Sequence, residues 1–216
     1  MSEPLLYYWD GRGKAEFIRL TLAAANQPFK APTFMSKPED IEKLRNDGLL
    51  LYGQLPLLQI DGKNMVQVGA ITRYLARKFN LYGKNDEEKY LIDLYTEGSR
   101  DFYGFYLSYG FSADADKNVR EKCLPRYMPI FEKIVDSNQF LVGNALSLAD
   151  VSLLEALLNV EERQPEELKK YPNLTTYLAN LKKRPGISSY LSGPQRPRPN
   201  DERYCDEVAR TLGWKK

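Results

Sequence analysis

The chain has 216 residues, with 31 Lys plus Arg against 29 Asp plus Glu, no His, two Cys and a formal charge of +2. At roughly 100–200 residues per domain the length allows one large domain or two small ones, burying about 70% of the surface of the unfolded chain. A hydrophobic fraction of 43% beside 28% charged residues excludes a disordered chain. Without His there is no Ser-His-Asp triad, no Cys-His dyad and no imidazole metal site, and no metal is expected. Cys123 and Cys205 are too far apart for a zinc knuckle and read as small buried apolar residues. Residues 1–80 carry 11 basic and 8 acidic side chains and residues 81–216 carry 20 and 21, an even spread that predicts no nucleic-acid partner. No apolar run approaches the ~20 residues of a membrane helix, and the start MSEPLLYYWDGRGK lacks a signal-peptide pattern, so a cytoplasmic protein without membrane association is expected.

The first 80 residues alternate between strand and helix patterns. Leu5-Leu6-Tyr7-Tyr8-Trp9 is a short apolar run ended by Asp10-Gly11, which predicts a buried strand. Phe17, Ile18, Leu20, Leu22 and Ala25 recur at helical spacing up to Asn26-Gln27-Pro28. A second strand is expected around Phe34-Met35, and a helix opening at Ser36-Lys37-Pro38-Glu39 runs through Ile41 and Leu44 to Asn46-Asp47-Gly48. Two strands, Leu57–Ile60 and Asn64–Gln67, flank Asp61-Gly62, a strong hairpin signal. A helix with Ile71, Tyr74, Leu75 and Phe79 on one face closes a β-α-β-α-β-β-α order.

Beyond residues 81–85 the patterns are helical throughout. Leu91, Leu94, Tyr95, Phe102, Phe105, Tyr106 and Tyr109 share a stripe, and Val119, Cys123, Tyr127, Phe131 and Ile134 mark a helix that Pro125 and Pro129 should bend. Ser147 and Asp150 have the spacing of a capping box, with Leu146 and Val151 as a hydrophobic staple, ahead of a helix through Leu154, Leu157 and Leu158. Pro172 and Pro185 bracket a further helix, and a Pro/Arg stretch from Pro194 to Pro199 leads to a last amphipathic helix near residues 201–212. The expected organisation is α/β plus all-α, with domains at residues 1–82 and 83–216.

Three features of the first domain bear on chemistry. The first strand delivers Tyr8 to a Gly-containing turn before a helix, where free backbone N–H groups favour an anion. Gln54-Leu55-Pro56 sets a Pro just ahead of a strand, where a cis peptide makes a turn. Gln67 ends the hairpin beside the start of the third helix. Taken singly, a Tyr at a strand end is more often packing than catalysis, and Asp10-Gly11-Arg12-Gly13 is too short for a dinucleotide fingerprint.

Together these features resemble the cytosolic glutathione S-transferases, most nearly the alpha class, over nearly the whole chain. The matching motifs are Tyr8-Trp9-Asp10-Gly11-Arg12-Gly13-Lys14, Lys43-Leu44-Arg45-Asn46-Asp47-Gly48, Gln54-Leu55-Pro56, Gln67-Val68, Asn80-Leu81-Tyr82-Gly83-Lys84, Tyr95-Thr96-Glu97-Gly98, Leu141-Val142-Gly143-Asn144 and Ser147-Leu148-Ala149-Asp150. The resemblance implies a thioredoxin-like N-terminal domain followed by a helical domain carrying the hydrophobic substrate site and the C-terminal helix. It implies that Tyr8 donates a hydrogen bond to the glutathione sulfur. A free thiol with a pKa of about 8.5 is mostly protonated at neutral pH, whereas the thiolate is the nucleophile. Lys14 matches a position usually held by Arg, where a cation supports that thiolate; the charge is kept and the planar fork is lost.

By the same resemblance Arg45 faces the glycyl carboxylate, Gln54, Leu55 and cis-Pro56 hold the cysteinyl unit through the Leu55 backbone, and Gln67 binds the γ-glutamyl end. Val68 stands where the family has Ser or Thr, so a hydroxyl contact is missing. Asp101 and Arg126 match positions that reach the γ-glutamyl end of a partner's site in a homodimer. Tyr52 matches an aromatic key that fills a partner pocket lined by Leu94, Phe131 and Ile134. Trp9, Gly11, Leu107, Phe111, Val208 and Leu212, with Trp214 nearby, match the apolar electrophile site. The implied activity is addition of glutathione, the co-substrate, to hydrophobic electrophiles. The rival readings are a glutathione-dependent isomerase of the prostaglandin type and a non-catalytic ligand-binding or crystallin-like protein.

Overall fold

A computed structural model describes residues 3–31, 35–136 and 138–214. Strand β1 (Leu5–Tyr7) leads through a 3₁₀ turn at Gly13–Ala15 into α1 (Glu16–Ala24), followed by α2 (Pro38–Asn46), β2 (Leu57–Ile60), β3 (Lys63–Val66) and α3 (Val68–Lys78). The described sheet has the order β1-β2-β3 with both pairings antiparallel, Leu6 opposite Leu58 and Leu58 opposite Met65. Asp61 and Gly62 both have positive φ, 51° and 71°, as a tight turn between twisted strands requires.

The second expected strand falls in part outside the described residues, which omit Phe34. Its flanks run beside β1: Leu5 and Lys30 form a parallel bridge, and the Met35 N–H donates to the Tyr8 carbonyl at 3.0 Å. Two boundaries differ from expectation. The second helix begins at Pro38, two residues beyond Ser36, because Pro lacks the N–H that a first-turn residue leaves unused, and the Lys37 N–H is met by Asp40 at 3.2 Å. The last hairpin strand stops at Val66, because Gln67 turns out of the ladder with φ +70°.

The second part of the chain is helical: α4 (Asp86–Tyr106), α5 (Ala115–Asn118), α6 (Leu124–Ile134), α7 (Leu148–Arg163), α8 (Pro165–Leu168), α9 (Pro172–Lys182), α10 (Pro185–Ser192) and α11 (Glu202–Leu212). The expected bend at Pro125 takes the form of a widened π turn over Val119–Cys123. A Pro in a continuing helix would press its ring on the carbonyl four residues back, and the wider turn relieves that clash.

The capping box forms as expected. Asp150 accepts from the Ser147 N–H at 2.7 Å, from the Leu141 N–H at 2.8 Å, and from the Tyr177 hydroxyl. Helix α7 is buried on nearly every side between Leu148 and Val160, and its most extensive partner is α4. Helix α1 packs against α3, α7 and α10, so it is the main element joining the sheet unit to the helices, with α3 on α7 and α2 on α11 adding to the contact.

Candidate active site

Tyr8 leaves β1 with its side chain buried and its backbone held by Met35. The chain then turns through Gly11, whose N–H donates to the Trp9 carbonyl at 2.8 Å, and Gly13, whose φ of +40° is costly for any other residue. That turn aims the Lys14 N–H at the Tyr8 hydroxyl oxygen, 2.9 Å away. With one lone pair accepting from Lys14, the phenol keeps its own O–H to donate. Burial pushes the Tyr8 phenol above its usual pKa, ahead of the opposing hydrogen bonds from Tyr204 and Lys14. The group is therefore a protonated donor at neutral pH and not a phenolate base.

A cation that sequence reasoning did not single out lies beside Tyr8. The Lys14 side chain is exposed and contributes its backbone N–H. The guanidinium of Arg19 lies 5.8 Å from the Tyr8 ring centroid, is almost fully buried, and donates to the carbonyls of Gly11 at 3.1 Å and Arg12 at 3.2 Å. Glu16 accepts from Arg19 at 3.4 Å and from the Tyr190 hydroxyl at 2.7 Å. The signal was legible as Glu16 and Arg19, an i, i+3 ion pair set into a mostly apolar helix.

Helix α11 covers the turn. Asp201 caps it by accepting from the Tyr204 N–H at 2.8 Å, and Gly213 ends it in the left-handed conformation. The Tyr204 ring lies directly on Gly11 and its hydroxyl beside Gly13, so a methyl group at either glycine would collide with it. The Tyr204 and Tyr8 hydroxyls are 3.1 Å apart, and either can donate. Trp9 donates from Nε1 to the Thr211 hydroxyl at 2.7 Å, and Arg198 joins the Asp10 carbonyl at 2.9 Å to the Glu207 carboxylate at 3.0 Å. Sequence reasoning placed Val208 and Leu212 on this helix and missed Tyr204, one of 15 tyrosines in the chain.

The remaining residues fall in three places. Arg45 is exposed on α2 and donates to the Gly53 carbonyl at 3.0 Å, beside the exposed Gln54 and the buried Leu55 and Pro56, whose peptide is cis. Gln67 is exposed, and Val68 is the half-buried first residue of α3, where the leading N–H groups have no partner within a helix. Trp9 and Val208 are buried, Leu107 and Leu212 half-buried, and Phe111 is exposed and meets Trp214 edge to face at 6.3 Å. Asp101 and Arg126 are exposed on α4 and α6. Tyr52 is 63% exposed and Leu94 48%, whereas Ile134 is half-buried and Phe131 is buried in the core, stacked with Phe102 at 6.4 Å.

Among the described residues a small sheet unit, a helical unit and a buried strand-end tyrosine come together, and comparison with known proteins identifies the family. The family model described as "Glutathione S-transferase, N-terminal domain" matches residues 4–77, and "Glutathione S-transferase, C-terminal domain" matches residues 101–194. The chain is 41% identical to "Glutathione S-transferase A1" of Bos taurus over 98% of both chains, and 42% identical to "Glutathione S-transferase 3" of Gallus gallus over 98% of this chain and 95% of that one. A Pi-class glutathione S-transferase of Onchocerca volvulus superposes with a TM-score of 0.78 at 31% identity, covering 88% of this chain and 92% of its own. A monomeric glutathione S-transferase of Necator americanus gives 0.78 at 27% identity, covering 93% and 100%. The chain belongs to the glutathione S-transferase family, and several of the relatives it matches at about 40% identity carry alpha-class names.

Proposed function

We propose that this protein is a glutathione transferase that adds the thiolate of glutathione to hydrophobic electrophiles. The observation that carries the proposal is the buried Tyr8 phenol, fixed by the Lys14 N–H at 2.9 Å with its own proton left to donate. A hydrogen bond to sulfur stabilises the thiolate over the thiol, which is the activation a neutral-pH thiol nucleophile needs. Arg19 adds buried positive charge behind the phenol. Holding two reactants in one cleft supplies much of the remaining acceleration.

In this reading Arg45, Gln54, Leu55, Pro56, Gln67 and Val68 bind the glutathione peptide, and Lys14 adds an exposed charge near its path. Trp9, Gly11, Leu107, Phe111, Val208 and Leu212 form the apolar wall for the electrophile. The place beside the Tyr8 hydroxyl is taken by Tyr204, so α11 has to give way, or Tyr204 swing aside, when the sulfur arrives. The boundary between the glutathione-binding and helical units is placed at residues 82 and 83, between the end of α3 at Lys78 and the start of α4 at Asp86. A homodimer in the cytoplasm completes the proposal. Exposed Tyr52 and Leu94, with Leu51, Tyr90 and Ile130, supply apolar surface for the contact. Asp101 and Arg126, exposed on α4 and α6, would then serve the neighbouring site.

Tyr8→Phe tests the central claim. The variant is expected to fold and bind glutathione, with the pKa of the bound thiol raised and turnover reduced about tenfold to a hundredfold, the worth of a hydrogen bond to a charged group. Unchanged turnover with an aryl halide across pH 6–8 refutes it.

A further inference from the structure

We propose that Tyr103 is a positioning residue for Tyr8, acting through the single peptide group that links Gly13 to Lys14. The Tyr103 hydroxyl donates to the Gly13 carbonyl at 3.0 Å inside the protein. The N–H at the other end of that same peptide, on Lys14, donates to the Tyr8 hydroxyl at 2.9 Å. The order is Tyr103 O–H to Gly13 C=O, then Lys14 N–H to Tyr8. A peptide is planar and conjugated, so charge drawn onto its oxygen makes its N–H a stronger donor. A phenol that accepts a stronger hydrogen bond becomes a stronger donor in turn, here toward sulfur.

The surroundings show that this contact is built and held. Tyr103 lies on α4 of the helical unit and is almost fully buried, so its hydroxyl needs a partner. Its ring is held 4.8 Å from the guanidinium of Arg100, which also lies 5.0 Å from the Phe17 ring and pairs with buried Glu155. Burial pushes the Glu155 carboxyl up to about 8, opposed by the charge of Arg100. On the other side of the turn, the Gly13 N–H donates to the Asn200 side chain at 2.9 Å. Gly13 is thus clamped from α4 and from the segment before α11, in a conformation of positive φ that it would otherwise leave easily. The sequence matches that placed Tyr8 in its motif assign no role to Tyr103.

The inference rests on Tyr8 as the thiolate's hydrogen-bond donor, and three variants separate its failure from failure of that reading. Tyr103→Phe keeps the ring and removes the donor. It is expected to raise the pKa of the bound glutathione thiol, read by ultraviolet thiolate absorbance, by about half a unit to one unit. Its kcat at pH 6.5 should fall about threefold to tenfold with an unchanged KM for glutathione, and the deficit should close at higher pH where the thiol ionises unaided. Tyr106→Phe, which removes a second buried hydroxyl of α4 bonded to Gln164 at 2.9 Å, should lower the melting temperature without moving the thiol pKa. Replacing Tyr103 alone by 3-fluorotyrosine, a stronger donor of nearly the same size, should move the thiol pKa down. A shift in Tyr8→Phe but none in Tyr103→Phe, or an equal shift in Tyr106→Phe, overturns the relay and leaves the transferase intact. No shift in Tyr8→Phe overturns both.

Discussion

The hydroxyl groups of Tyr8 and Tyr204, 196 positions apart in the chain, meet at 3.1 Å beneath helix α11. Tyr8 also accepts from the Lys14 N–H at 2.9 Å, so its hydroxyl has one backbone and one side-chain partner. Gly11 and Gly13, having no side chains, make the trough in which the Tyr204 ring lies. In the proposed reading this contact competes with the thiol for the Tyr8 hydroxyl.

Tyr204→Phe removes the competing hydroxyl while keeping the ring over Gly11. Glutathione is expected to bind several-fold tighter, because the thiol no longer displaces a hydrogen bond worth about 0.5–1.5 kcal/mol. Titration calorimetry reads this directly. Equal affinity in the variant would show that Tyr204 leaves Tyr8 at no cost.

Tyr52 is 63% exposed and neighbours Leu51, which is also exposed. Such apolar surface next to the proposed glutathione-binding turn reads as an interface anchor. Tyr52→Ala is expected to weaken the dimer by about 2–4 kcal/mol and to lower activity with it, since Asp101 and Arg126 would serve the neighbour's site. Sedimentation at decreasing concentration, run beside a glutathione titration, checks both halves. An unchanged dimer with unchanged affinity refutes the assignment, and a wild-type chain that sediments as a monomer refutes it outright.

Val68 stands half-buried at the first position of α3. Val68→Thr keeps the shape and adds a donor at the helix end where a carboxylate is favoured. A several-fold lower dissociation constant for glutathione at an unchanged melting temperature is expected, within the ceiling of about 1.5–3 kcal/mol for a hydrogen bond to a charged group. Lower stability with unchanged binding would place the side chain in the core instead.

Alkaline pH should unfold this protein sharply. Burial pushes the Cys123 thiol up to about 12, and it raises the phenols of Tyr8, Tyr103 and Tyr177 above their usual value. These groups stay neutral in the folded state, while the unfolded chain releases their protons near pH 9 for the thiol and 10 for the phenols. The unfolded state then binds fewer protons, so the contribution of these groups is full below pH 9 and falls by about 1.4 kcal/mol per pH unit for each group between its unfolded and its folded pKa. Denaturant midpoints measured from pH 8 to 11 check the slope. A flat profile would mean that these groups ionise in place.

The sequence by itself determined what depends on near neighbours. The Asp61-Gly62 turn, the Ser147–Asp150 cap and the strand that presents Tyr8 to a glycine turn were all readable, because each is decided by the dihedral preferences and hydrogen bonds of a few adjacent residues. The same holds for the α/β then all-α order, which follows from hydrophobic period. What only the tertiary structure decided are the contacts that surround Tyr8: Arg19 beside its ring, Tyr204 against its hydroxyl, and Tyr103 on the Gly13 carbonyl. No local pattern distinguishes Tyr103, Tyr106 and Tyr204 from the other tyrosines. Their hydroxyls acquire partners only when α1, α4, α7 and α11 pack, and at that point burial obliges each one to find an acceptor or donor within reach.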